Sequence, residues 1–266
     1  VIGFSGGFHG RTYGALSVMD KPLYKEGMGP FLPNTLVLPF NDVDALEARV
    51  DEHTAAVILE FIQGEGGIAE ATQEFVDAIW RLKECYGFLV IADEVQSGIG
   101  RTGDFFAFER YGVRPDVVTI AKAMGGGLPL GGILATEEAA ALLEKGMHGT
   151  TYGGNPVACV AGSVVIDEVT SGLMQHVRQV GEYLHGRLRE IHDRFPLLIR
   201  EVRGRGCMQG IVLNQDAAPF IPKLLNRGVI ANATAGNVIR LVPPFVLTHG
   251  DVDELYSALF MVLSAE

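Results

Sequence analysis

The sequence predicts an α/β fold, a mostly parallel sheet with helices on both faces, followed by a smaller C-terminal α+β domain. Three observations predict it. The runs at 56–59 and 88–92 are uninterrupted apolar stretches of strand length, and that at 117–121 is broken only by Thr119; a strand buried on both faces reads as such a run rather than as an alternation. Between the first two, Phe75, Ile79, Leu82 and Tyr86 fall at helical spacing and stop at Gly87, so strand, helix and strand make a βαβ unit, which crosses over right-handed. Beyond Pro196 short strands alternate with helices without the long buried runs, the pattern of a separate α+β layer.

Taken in order, residues 1–4 read as a strand already under way, and since Val1 rather than Met opens the chain, an N-terminal portion is expected to precede it. Residues 5–11, Ser-Gly-Gly-Phe-His-Gly-Arg, form a glycine-rich turn of the kind that brings backbone and side chains close to a ligand. His9 within it reads equally as a base or as a structural residue holding the turn. The stretch up to Pro39 is rich in Gly and Pro and reads as irregular. Asn41-Asp42-Val43-Asp44 caps a short helix with Val43, Leu46 and Val50 on one face.

The next strand ends at Glu60 and leads into the loop Gln63-Gly64-Glu65-Gly66-Gly67. The strand at 88–92 delivers Asp93 and Glu94, and the strand at 117–121 delivers Lys122, then Ala123, Met124 and three glycines. Asn155 and Pro156 read as an N-cap and a first-turn proline opening an apolar helix toward Val169. A second helix, with Leu184, Leu188 and Ile191 on one stripe, runs to about Arg194. Strands are expected at 198–202, 208–213 and 238–241, and helices at 218–226 and 251–263. The expected division is a large domain over 1–156, then a linking helix and small domain over 157–266.

A net charge of -11 excludes the basic footprint that nucleic-acid binding needs. No apolar run of the ~18 residues expected of a membrane span stands out, and no signal peptide opens the chain. Cys85, Cys159 and Cys207 are far apart and odd in number, so neither a disulfide framework nor a zinc cluster is expected. A reducing, cytoplasmic setting follows.

In open α/β sheets ligands bind outside the carboxyl ends of the strands, so Asp93 and Lys122 are expected to face one crevice. Two readings follow. Either they form an ion pair at the sheet edge, or they serve pyridoxal phosphate chemistry, in which a lysine forms a Schiff base and a carboxylate keeps the ring nitrogen protonated. Gly98 to Gly103 matches G-x-G-x-x-G, yet five residues separate it from the strand and no helix of small residues follows, so a dinucleotide site is not expected. Glu65, between glycines, faces solvent or a ligand. Residues 148–154, with two threonines and several glycines, offer either a phosphate contact or simply a loop.

Phe8-His9-Gly10-Arg11-Thr12, residues 60–67, Asp93-Glu94-Val95-Gln96, Gly100-Arg101-Thr102-Gly103, Lys122-Ala123 with its glycines, residues 150–156 and Arg240-Leu241-Val242-Pro243-Pro244 occur in that order. Together they resemble the class III aminotransferases of the fold-type I pyridoxal phosphate enzymes, over nearly the whole chain. The resemblance implies pyridoxal 5'-phosphate as cofactor and residues 1–156 as the domain that holds it. Lys122 would be the Schiff-base lysine and proton carrier, Asp93 the partner of the ring nitrogen, Gln96 a contact of the ring hydroxyl, and Val95 and Phe8 the residues flanking the ring. Thr151 would reach the cofactor phosphate of a neighbouring subunit, implying a homodimer with shared sites. Arg11 and Arg240 would bind substrate carboxylates, with Glu65 pairing with Arg240 for one substrate and releasing it for the other. No metal is implied.

The resemblance further implies an amino acid and a 2-oxo acid as substrates: transfer from N-acetylornithine, or a close ω-amino relative, to 2-oxoglutarate. Ornithine, 4-aminobutyrate and succinyl-diaminopimelate are the alternatives within the family. A reading of another class is a non-catalytic fragment, because the family's Ser-Gly-Thr-Glu-Ala-like phosphate-binding segment lies upstream of the point where this sequence begins. A second departure is Phe61, where the family usually has Pro.

Overall fold

In the computed structural model, which describes residues 1–265, the chain forms two compact units. The first comprises Val1–Phe61, Ala71–Ile99 and Phe106–Glu168, and the second Ile62–Glu70, Gly100–Phe105 and the chain from Val169 onward. The helix expected to begin the linking region thus stays with the first unit as far as Glu168, and two short internal segments belong with the second.

The first unit is built on a six-stranded sheet in the order Leu36–Leu38, Ile2–Phe4, Ala56–Leu59, Leu89–Asp93, Val117–Ile120, Gly132–Ala135. Neighbouring strands are parallel except the last pair, which is antiparallel. This is the mostly parallel sheet that the three apolar runs predict. Val57, Val90 and Ala92 are fully buried, each valine side chain contributing about 1.5–3 kcal/mol on burial.

The helix Gln73–Tyr86 starts where the Thr72 hydroxyl accepts from Phe75 N at 3.2 Å and ends at Gly87, whose φ of 75° is left-handed. It buries Phe75, Val76, Ile79 and Leu82. The Asp42 carboxylate accepts from Ala45 N at 2.9 Å at the start of Val43–Glu47. The stretch read as irregular differs from expectation: it contains the strand Leu36–Leu38 and two short helices, Tyr13–Ser17 and Pro22–Lys25. Three residues carry no periodicity of their own, and this strand exists through its pairing with Ile2–Phe4.

Asn155 Oδ1 accepts from Val157 N at 3.0 Å and Ala158 N at 3.3 Å, capping the helix Pro156–Glu168. At Gly172, with φ 150°, the helical path breaks before Met174–Arg194 begins. By length and composition, 156–194 contains a window apolar enough to cross a membrane. The first regular α-helix within it, Pro156–Glu168, has 13 residues, whereas a span needs about 20. Val157, Val160 and Val164 on this helix are exposed by more than half.

The second unit carries an antiparallel sheet in the order Asn232–Thr234, Val238–Leu241, Met208–Leu213, Ile199–Arg205. The helices Met174–Arg194 and His249–Leu263 contribute to its core, where the stripe Leu184, Leu188 and Ile191 meets Ile211, Leu213 and Leu259. A two-stranded hairpin, Ile62–Gln63 with Ala69–Glu70, adds Ile62 and Ile68 around Met208. The Gly100-Arg101-Thr102-Gly103 segment also lies here. Its Arg101 donates to the carbonyls of Cys207 and Pro243 and lies over the Phe245 ring, and no helix opens from Gly103.

Candidate active site

In the first unit the adjacent strands Ala56–Leu59, Leu89–Asp93 and Val117–Ile120 point the same way, so Glu60, Asp93 and Lys122 arrive at one edge of the sheet. The turn after Ile2–Phe4, next in the sheet, adds Phe8, His9 and Gly10. With Val95 and Gln96 these residues line a recess of about 90 Å³. Sheet order alone has brought together side chains up to 114 positions apart, as the carboxyl-end rule requires.

Asp93 is held from both oxygens. Its Oδ2 accepts from His9 Nδ1 at 2.8 Å, with the two side chains 7% and 3% exposed. An ionised carboxylate only accepts, so with Asp93 in that form the proton of this bond sits on the imidazole nitrogen. The Oδ1 accepts from Val95 N at 3.1 Å and Thr119 Oγ1 at 3.3 Å. Phe8 N donates to Glu60 Oε2 at 2.8 Å, pinning the glycine turn to the neighbouring strand end.

Lys122 has φ 49° and opens a short 3₁₀ turn, Lys122–Gly125. A lysine in the left-handed region is strained, and such outliers concentrate at functional sites because the surrounding structure must enforce them. Gln96 Oε1 is buried without a hydrogen-bond partner, an uncompensated acceptor beside the recess.

Glu94 points away into the interior. Its Oε2 accepts from Ser97 Oγ at 2.6 Å and its Oε1 from Phe108 N at 3.1 Å. Burial pushes its carboxyl up from 4.5 to about 7, against the opposing effect of these bonds. Between those values the folded protein keeps a proton that the unfolded chain has lost, so this group's contribution to stability falls as pH rises and is fully lost above about 7. Glu94→Gln keeps the shape and removes the charge. It is expected to leave stability unchanged at pH 4.5 and to raise it at pH 8 by on the order of 3 kcal/mol, measured by denaturant unfolding at the two pH values.

Phe61 is fully buried among Trp80, Phe108 and Tyr111, the closest ring centroid being 5.2 Å away. The departure from Pro therefore fills an aromatic cluster. The Arg11 guanidinium lies 4.6 Å from the centroid of the Tyr24 ring. Thr151 is exposed, and neither it nor Arg11 lines the recess. In the second unit Arg240 Nη1 donates to Glu65 Oε1 at 2.7 Å, with side chains 12% and 27% exposed. Among the residues singled out from sequence, the recess collects Phe8, Asp93, Val95, Gln96 and Lys122. It also includes His9 and Glu60, which the sequence left undecided or unassigned.

The model of the family described as aminotransferase class-III matches residues 1–263. The chain is 42% identical to the acetylornithine aminotransferase of Aquifex aeolicus over 98% of its own length and 68% of that protein's. An ornithine aminotransferase from Toxoplasma gondii superposes with a TM-score of 0.92 at 29% identity, covering 99% of this chain and 64% of that one. An amine transaminase from an uncultivated Pseudomonas species, in its pyridoxal phosphate-bound form, superposes with a TM-score of 0.91 at 28% identity over 99% of this chain and 69% of that one. The chain thus spans about two thirds of the length of these relatives.

Proposed function

The chain belongs to the class III aminotransferases, a family of pyridoxal phosphate enzymes, and we propose that it transfers an amino group from N-acetylornithine, or a close ω-amino relative such as ornithine, to 2-oxoglutarate. The observation that carries this reading is the recess in which Asp93 and Lys122 meet from adjacent strand ends, with Lys122 held at φ 49°. The similarity to acetylornithine and ornithine aminotransferases supports the donor class.

The residues present fit the cofactor. When bound, pyridoxal phosphate supplies an electron sink for chemistry at the α-carbon. Lys122 would hold it covalently and carry the proton to and from that carbon. Asp93, aligned by His9, Val95 N and Thr119, would hold the proton of the ring nitrogen. The unpartnered Gln96 Oε1 would accept from the ring hydroxyl, and Phe8 and Val95 would flank the ring. Adding pyridoxal phosphate should produce a visible absorbance band that borohydride removes. A protein that stays colourless favours the non-catalytic reading.

Arg11 and Arg240 are the proposed carboxylate contacts, since a planar guanidinium suits bidentate recognition. The Glu65–Arg240 pair supports a switch: Glu65 neutralises Arg240 when an amino donor without a second carboxylate is bound and releases it for 2-oxoglutarate. Glu65→Ala is expected to weaken discrimination for the amino donor and leave the 2-oxoglutarate half-reaction intact or improved. Arg240→Ala is expected to raise the KM for 2-oxoglutarate most, by removing a ground-state contact. Single-turnover absorbance reads the half-reactions separately, and equal losses in both for the Glu65 variant would leave that residue a structural loop carboxylate.

A homodimer with Thr151 reaching the neighbouring subunit's cofactor phosphate completes the reading. Val157, Val160 and Val164, each more than half exposed and at helical spacing on Pro156–Glu168, support a protein partner, since exposed apolar faces mark interaction sites. Light scattering measures the mass. The unpaired state of Cys85, Cys159 and Cys207 supports a reducing, cytoplasmic setting.

A further inference from the structure

We propose that Asn232 is a positioning residue that fixes the Arg240 guanidinium, so that only its outer edge, Nη1 and Nη2, is exchanged between Glu65 and a substrate carboxylate. The inference rests on the reading of Arg240 as the contact for the second carboxylate of the amino acceptor.

Asn232 and Arg240 stand directly opposite each other in the antiparallel ladder, which places both side chains on one face at contact distance. Asn232 Oδ1 accepts from Arg240 Nε at 3.2 Å while Glu65 Oε1 accepts from Nη1 at 2.7 Å. On the other side of the arginine the facing residue is Gly210, which has no side chain to offer. A guanidinium presents two bidentate edges, Nε with Nη2 and Nη1 with Nη2. Asn232 occupies Nε and so closes the first edge. The second is the edge on which Glu65 sits.

The backbone that carries Glu65 is also held. Thr234 Oγ1, two residues along the same strand, donates to Glu65 O at 2.6 Å, and Arg203 Nε donates to Gly67 O at 2.8 Å. Gly67, at φ 85°, is so closely covered that a Cβ there would meet Ala235 at 2.9 Å and Arg203 and Val238 at 3.0 Å. Glu65 therefore leaves Arg240 by rotation of its own side chain, with loop and guanidinium standing still. The strand Asn232–Thr234 thus holds both halves of the switch and sets the fixed point that the second carboxylate of a diacid must reach.

The test is binding without turnover, by calorimetry on the chain loaded with pyridoxal phosphate, with glutarate as a five-carbon diacid and pentanoate as its monoacid counterpart. Asn232→Ala frees the guanidinium to turn and is expected to weaken glutarate about threefold to tenfold, the range of one hydrogen bond. Asn232→Asp sets a competing carboxylate on Arg240 and is expected to weaken glutarate more than tenfold, a charge-assisted bond being the stronger kind. Pentanoate is expected to respond much less than glutarate in both. Glutarate affinity unchanged in Asn232→Asp, or both ligands weakened equally, overturns the inference while leaving Arg240 in place. If Arg240→Ala does not weaken glutarate, or the unsubstituted chain does not bind it, the reading of Arg240 itself falls and the inference with it.

Discussion

Lys122→Ala is expected to eliminate the visible band that pyridoxal phosphate gives with the protein and to lower transamination by at least ~10²–10⁴-fold, the contribution of a positioned proton-transfer group. The other lysines have different settings. Lys83 is paired with Asp116 at 2.7 Å, Lys25 donates to Met19 O, and Lys21 lies over the Tyr24 ring. Among the described residues, only Lys122 leaves a buried strand into a run of glycines and lines the recess with Asp93. Alanine keeps the Cβ and therefore the left-handed strain at this position, so the fold is expected to survive the change, which circular dichroism checks. Peptide mapping after borohydride reduction should place the cofactor on Lys122. An adduct on Lys21 or Lys145 instead would overturn the assignment.

The readable parts of this chain are those where burial imposes a local pattern. The strands at the sheet centre must be apolar on both faces, so Ala56–Leu59 and Val117–Ile120 stand out as runs, and the residues that follow them, Glu60 and Lys122, can be placed from sequence order alone. The helix Gln73–Tyr86 is equally visible, since its spacing and its two caps agree. Short edge elements are not. Leu36–Leu38 and Asn232–Thr234 have three residues each, too few for an alternation, and both exist because a strand beside them supplies partners. The Asn232–Thr234 strand also holds Glu65 and Arg240, so the pair was expected only by resemblance while its support had no local signal.

His9 shows the same limit within the recess. Glycines on both sides marked its turn as close to something, but its partner Asp93 lies 84 positions away, and only the parallel order of the sheet makes them neighbours. The division into units is similar. Residues 62–70 and 100–105 leave the first unit for the second through contacts with strands more than 100 positions downstream, such as the bond from Cys207 N to Arg101 O.

Asp93→Asn is expected to leave the visible band in place and to slow proton removal from the substrate α-carbon by a factor on the order of 10²–10³, the scale on which a single preorganised electrostatic contact acts. The substitution is nearly isosteric, and asparagine keeps an oxygen able to accept from Val95 N and Thr119 Oγ1 as Oδ1 does now. The amide nitrogen then takes the place of Oδ2 and meets His9 Nδ1, which can accept in its other tautomer. Geometry is thus largely preserved while the negative charge is lost, and that charge is what favours a proton on a nearby ring nitrogen. A loss confined to the proton-transfer step, with cofactor affinity reduced far less, identifies the charge as the active element. His9→Ala provides the complementary case: the carboxylate stays but loses its 2.8 Å partner, so a smaller effect in the same step is expected. Single-turnover absorbance with the amino donor measures both variants. Activity close to that of the unsubstituted protein in Asp93→Asn would make Asp93 only a sheet-edge acceptor for His9, and the electrostatic role would be lost with it.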